Sequence, residues 1–276
     1  MSHGLPILYE DPDFLVINKP AGLLTQAALG IDSLEVRVKR LLQERRGADI
    51  PVCQPTVGSS EIYLGLPHRL DRPVSGAILF AKSVAAARRM SKQFEWRRVE
   101  KTYWALVEGD VTPDEGTWSD QLKKIEGEPR TVVANLGDPE GRNAILHYRV
   151  ILRLPEIPLP LGEGGGCRPP GEDRATLLEI TLETGRTHQI RVQSASRGHP
   201  LLGDELYGSR QPFGPSSDDE RQRLIALHAR ALRFWQHPLR QYITVKAPLP
   251  DYWADVGVRE LEHEPEASAR DQREEF

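Results

Sequence analysis

Residues 68–76 read His-Arg-Leu-Asp-Arg-Pro-Val-Ser-Gly and set one carboxylate, Asp71, between two guanidiniums, Arg69 and Arg72. The apolar run 77–81 follows at once and reads as a buried strand, so the charged group sits at the edge of a core element. Two readings fit this pattern. An Asp–Arg pair at a strand edge is ordinarily a surface ion pair worth ~0–1 kcal/mol. Alternatively, the carboxylate is drawn into a partly dry cleft, where desolvation opposes its charge and a guanidinium restores it. That leaves an ionised group aimed at a substrate. Two further segments carry chemical potential. Residues 185–191 (GRTHQIR) offer Arg186, His188 and Arg191, and residues 101–109 (KTYWALVEG) offer Tyr103. Thr187 suits a helix N-cap, which would place His188 and Arg191 three apart on one helix face.

The surrounding elements can be read from periodicity. Residues 7–9 and 14–17 form short apolar runs around Asp11-Pro12-Asp13, the pattern of a hairpin. Residues 33–45 have the spacing of an amphipathic helix, and 46–67, rich in Gly, Pro and Ser, of a loop. Ser83 is placed to cap a helix running to about Arg97, with Ala86, Met90 and Phe94 on its buried face. Residues 101–109 read as a strand with Trp104 on the face opposite Tyr103. Residues 177–185 alternate as a half-buried strand, and 242–248 form a late strand. Helical and strand patterns mix without a regular βαβ rhythm. The expected fold is therefore a single α+β domain over 1–253, with a mixed, largely antiparallel sheet flanked by helices and loops. Residues 155–173, dense in Pro and Gly, read as a flexible surface insertion, and 254–276 as an acidic, disordered tail.

Composition narrows the function classes. With 39% hydrophobic residues in 276, the chain can bury a substantial core. It has no run of 18 apolar residues, and its acidic N-terminal stretch does not read as a signal peptide, so a cytoplasmic protein without a membrane span is expected. Cys53 and Cys167 fit no disulfide framework or CxxC site. His188, His199, His228 and His237 lack metal-ligand spacing, so no metal is expected. The net charge of −4 is unevenly placed: eight acids against three arginines fall beyond Trp253, leaving the body near neutral and able to hold a local basic cleft.

Taken together and in order, HRLDRPVSG, KTYWALVEG, GRTHQIR with the GDELYG that follows it, LHARALRFWQHP (227–238) and the early NKPAGLL (18–24) resemble the RluA family of pseudouridine synthases. The resemblance spans about residues 7–253. It implies an isomerase that modifies ribosomal or transfer RNA without a cofactor or metal, with RNA as its partner, and a monomer is expected. By residue, it implies that Asp71 is the catalytic aspartate, with Arg191 as its charge partner and Tyr103 packed on the target base. Arg69 contacts phosphate or fills the gap left by the flipped base, the resemblance favouring the second, and Arg72, Arg186, His188 and Lys19 are further candidate RNA contacts. For each of these four an ordinary structural or surface role stays open. Gly76 and Gly185 read as sites of tight backbone. The chain departs from the family pattern at Val74, where a threonine is common, and at Thr25-Gln26, where a histidine is common. The catalytic hairpin lies at its start, so the S4 RNA-binding module of many relatives is not expected.

Two other functions compete. A glycosidic hydrolase would need a second carboxylate astride the bond, for which Asp204 is the candidate. A non-catalytic RNA-binding module would have no need to keep Asp71, Tyr103 and Arg191 together.

Overall fold

The computed structural model describes residues 5–48, 62–157 and 174–259. Most of the Pro/Gly-rich stretch, both cysteines and the tail from 260 onward lie outside the described residues, as do the expectations attached to them.

The chain opens with the expected hairpin, β1 (Ile7–Glu10) and β2 (Phe14–Lys19). Its turn is closed by the Asp11 carboxylate, which accepts from the Asp13 and Phe14 amides, each at 2.7 Å. Helix α1 (Leu34–Ala48) buries Leu34 and Val38. Strand β3 (Ser75–Ala81) is buried at every position, as its unbroken apolar run requires. Helix α2 (Val84–Glu95) starts where Ser83 Oγ accepts from the Ala86 amide at 3.1 Å. It ends two residues short of the expected Arg97, which turns into the left-handed region at φ 55°.

Strands β4 (Glu100–Glu108), β5 (Glu115–Lys124), β6 (Thr131–Val133), β7 (Arg142–Leu154) and β8 (Ala175–Leu182) follow. Then come the short helix α3 (Gln189–Ala195) and strands β9 (Leu227–Gln236) and β10 (Gln241–Lys246). The strands form one sheet in the order β1-β2-β3-β9-β4-β8-β7-β5-β6, with β10 also on β9. Among the described pairings only β3–β9 is parallel. The architecture is the mixed α+β sheet expected.

Both faces of the central strands are covered. Tyr103, Ala105 and Val107 of β4 join a core with Ile17, Ile78 and Ile180, while Trp104 and Leu106 enter a second with Leu177 and Trp253. Strand β8 is half-buried only at its C-terminal end. Residues 175–178 are covered on both faces, and solvent reaches Thr181. Val256 and Val258 are buried in the second core, so the packed chain reaches past the expected boundary at Trp253.

One row across the sheet places the site. Gly76 of β3 pairs with Ala229 of β9, and Ala229 pairs with Tyr103 of β4 beside a bulge. The start of β3, where the loop carrying Asp71 ends, and the tyrosine of β4 are thus two strand spacings apart, about 10 Å. Gly76 sits at φ 114°, and an added Cβ would lie 2.3 Å from the Ala229 oxygen and 2.6 Å from its nitrogen. Backbone atoms cannot move aside as a side chain can. Gly185, by contrast, would meet only the flexible end of Lys101. Gly76→Ala is therefore expected to destabilise the protein by about 3 kcal/mol or more, measured as the shift in urea unfolding.

Candidate active site

A cleft of about 530 Å³ opens between the loop before β3, the start of β4, the end of β8 and the loop into α3. Asp71, Tyr103, Arg191, His188, Arg69 and Arg186 all line it. Lys19 and Arg72 do not.

The Asp71 carboxylate is 30% exposed and lies 3.6 Å from Arg191 Nη1 and 3.6 Å from His188 Nε2. The basic side chains that face it come from the opposite wall of the cleft, not from its sequence neighbours Arg69 and Arg72. Arg191 makes its hydrogen bonds elsewhere. Its Nε and Nη2 donate to the two Asp204 oxygens at 2.6 and 2.7 Å, a two-pronged pair with side chains only 6% and 1% exposed. Burial works against the guanidinium charge, but the Asp204 hydrogen bonds and charge, helped by Asp71, hold its pKa above the usual arginine value. Asp204 is thereby removed as a hydrolytic carboxylate: it is buried, and both its oxygens are taken by Arg191. The hydrolase reading loses the candidate it relied on.

Tyr103 is buried, with its pKa raised by burial first and by Asp71 second, so the phenol keeps its proton. His188 differs from expectation. Thr187 does not cap α3. The Gln189 amide donates to the Arg186 carbonyl at 3.1 Å, closing a turn that moves the helix start to Gln189. His188 takes the capping position at φ 55° with no capping side-chain bond. Its side chain is 13% exposed and faces Asp71. Burial lowers its pKa; Asp71 and Asp204 pull upward, while Arg191 and Lys124 add to the lowering. Arg69 is exposed at the cleft, and Arg186 also stands exposed there, its Nε donating to the Asn143 carbonyl at 2.9 Å.

Lys19 is a correction. It is fully buried and does not line this cleft; its Nζ donates to the carbonyls of Pro20, Arg72 and Val74 at 3.0, 3.1 and 2.7 Å. Three acceptors call for an ammonium, whereas burial pulls its pKa down to about 7, with Asp71 opposing. Arg72 likewise enters through its backbone, its carbonyl accepting from both Lys19 and the Gly22 amide. At the two departures from the family pattern, Val74 packs in the core, and Thr25 Oγ1 donates to the Leu70 carbonyl at 2.7 Å and accepts from its amide at 3.2 Å. Segment 19–25 thus clamps the loop that carries Asp71.

The sequence reading also missed His68. Its Nε2 accepts from the Leu79 amide at 3.0 Å, its ring stacks on Phe94 at 5.1 Å, and burial, with Lys101 adding, pushes its pKa down to about 3. A neutral imidazole therefore ties the start of the loop to β3. Gln189 was passed over as well: its Oε1 accepts from the Thr184 hydroxyl and the Arg186 amide, ordering the loop into α3. Among the described residues no group of three or more His, Cys, Asp or Glu is arranged to hold a metal, and no helix is long and apolar enough to cross a membrane.

One cleft of this mixed sheet thus gathers a part-exposed carboxylate, a tyrosine and a buried arginine, the three groups that the motif resemblance implied for an isomerase acting on RNA uridine. The family model described as RNA pseudouridylate synthase matches residues 13–196. An uncharacterized RNA pseudouridine synthase of Chlorobaculum parvum is 34% identical over 90% of this chain and 71% of its own length. The ribosomal large subunit pseudouridine synthase D of Vibrio cholerae is 33% identical over 90% of this chain and 68% of its own. The solved structure of human RNA pseudouridylate synthase domain containing 1 superposes with a TM-score of 0.63 at 25% identity, covering 90% of this chain and 84% of that one. The chain belongs to the RNA pseudouridylate synthase family, on the RluA-like architecture that its motifs resemble.

The clamp yields a test that separates structure from RNA contact. Lys19→Met takes the Nζ donor from three carbonyls, of which that of Arg72 keeps the Gly22 amide, and should cost roughly 2 to 4 kcal/mol in urea unfolding. A contact lysine would instead leave stability unchanged and weaken RNA binding.

Proposed function

We propose that this RNA pseudouridine synthase acts on chosen uridines of ribosomal RNA, with transfer RNA as the second substrate class, using Asp71 as its catalytic carboxylate. The ribosomal choice leans on relatives such as the Vibrio cholerae protein, whose name places its own action on the large ribosomal subunit. A cytoplasmic setting accords with two cysteines in 276 residues.

The observation that carries the catalytic reading is the carboxylate itself: part-exposed, 3.6 Å from a guanidinium held by another acid, and in one cleft with Tyr103. The cleft has room for one nucleoside and not for a stacked helix, so the target base must leave its stack. The Tyr103 ring offers a flat wall that offsets the lost stacking. The reaction breaks N1–C1′ and forms C5–C1′ while the C5 proton leaves and N1 gains one. No atom is gained or lost, so no redox partner is needed. Asp71 can attack C1′, attack the base or take the C2′ proton from nearly the same place. That Arg69 and Arg186 stand exposed at the cleft supports Arg69 as the side chain that fills the gap left by the flipped base, or meets phosphate, and Arg186 as a backbone contact.

Mapping pseudouridines in ribosomal and transfer RNA from cells lacking the protein tests this, with wild type or Asp71→Ala added back. Sites should vanish and return only with wild type, and purified Asp71→Ala should be at least about 1,000-fold slower. Equal restoration by both proteins would overturn the role of Asp71. Sites confined to transfer RNA would overturn the ribosomal assignment.

A further inference from the structure

The GDELYG segment supplies Asp204 to Arg191, but its tyrosine is also engaged. Tyr207 ends the short 3₁₀ turn Glu205–Tyr207. Its hydroxyl lies 2.8 Å from His188 Nδ1 and accepts from the Thr131 amide of β6 at 3.0 Å. Its ring stands edge-on to His188 at 5.7 Å and lies under the Arg191 guanidinium at 4.9 Å. One side chain therefore touches both of the side chains, His188 and Arg191, that face Asp71.

The proton positions follow from this chain of contacts. The Tyr207 oxygen already accepts from Thr131, and its single O–H needs an acceptor, which His188 Nδ1 provides. At the other end of the ring, Nε2 faces the Asp71 carboxylate at 3.6 Å. A lone pair on Nε2 would repel that carboxylate, whereas an N–H would attract it. Both ends select the same tautomer, with Nδ1 bare and Nε2 protonated. The ring stays neutral because burial and the nearby Arg191 and Lys124 disfavour a second proton more than Asp71 and Asp204 favour it. Burial likewise raises the Tyr207 pKa, so the phenol keeps the proton it donates.

We propose that Tyr207 is a positioning residue: anchored by Thr131, it fixes the His188 tautomer so that an Nε2–H is presented to the Asp71 carboxylate. At 3.6 Å this contact is not yet a hydrogen bond, and it shortens when substrate fills the cleft, as catalytic contacts commonly do. The donated N–H steadies one carboxylate oxygen and leaves the other to address the ribose or base. The proposal rests on Asp71 being the catalytic carboxylate.

The test combines ¹⁵N NMR of histidine-labelled protein with steady-state pseudouridine formation. In wild type, His188 should show a protonated Nε2 and an unprotonated Nδ1 at neutral pH. Tyr207→Phe removes the O–H but keeps the ring against Arg191. It should shift the tautomer toward Nδ1–H and lower kcat about ten-fold or more while changing KM less than three-fold. A protonated Nδ1 in the wild-type spectrum overturns the proposal without any variant. So does a Tyr207→Phe protein whose tautomer is unchanged or whose kcat stays within two-fold. Asp71→Ala is run in the same assay: if it remains active, the catalytic reading fails, whereas a dead Asp71→Ala beside a fully active Tyr207→Phe defeats only the role of Tyr207.

Discussion

Arg191 and Asp204 bury opposite charges 2.6 Å apart, almost wholly out of water. Such a pair adds little net stability, because the loss of hydration roughly cancels the attraction, yet removing one partner leaves the other stranded at a cost of several kcal/mol. What the pair provides is direction. Two of the guanidinium nitrogens are committed to Asp204, so the third is left facing Asp71 at 3.6 Å. Asp71 thus has a fixed positive charge beside it without surrendering its oxygens to a tight ion pair, and a substrate can still reach it. Helix α3 is only seven residues long and buries Gln189, Arg191 and Gln193 as well as Ile190 and Val192. Polar anchoring, more than helix propensity, holds it in place.

The carboxylate's own wall is fixed by comparable means. Lys19, Gly22 and Thr25 hydrogen-bond residues 70, 72 and 74 from one side, and His68 ties the loop to Leu79 from the other. The close approach of Gly76 to Ala229 sets where the loop ends. Strand β9 serves as the spacer between the start of β3 and Tyr103, so the loop that carries Asp71 ends at a fixed sheet distance from the aromatic wall. Sites built this way hold their geometry within the small tolerance that catalysis demands.

Much of this was legible in the sequence, and unevenly so. The opening hairpin, the Ser83 cap and the buried strand after HRLDRPVSG follow from local pattern, because hydrophobic period and capping chemistry act over a few residues. Asp71, Tyr103, Arg191, Arg69 and Arg186 meet in one cleft, as the motifs taken together imply. The misses share one cause. Lys19 looked like a cleft lysine because lysine is almost never fully buried, and only the folded loop brings three carbonyls to it. Asp204 looked like a spare acid because its partner, thirteen residues earlier, was expected to pair with Asp71. The left-handed backbone of His188 is imposed by Gln189 closing the loop, which a Thr-His pair read as a capped helix does not reveal. The GDELYG run was the one available signal, an acid and a tyrosine three apart, beginning twelve residues after Arg191.

The most direct test of the anchoring role of Asp204 is the kcat for pseudouridine formation by Asp204→Asn, measured on protein whose fold is confirmed by circular dichroism. The amide keeps the shape of the carboxylate but loses its charge and one of its two acceptors. Arg191 should then swing onto Asp71, and kcat should fall about ten-fold or more, with KM little changed. A rate within two-fold of wild type would contradict it, since Arg191 would then hold its position without the buried charge.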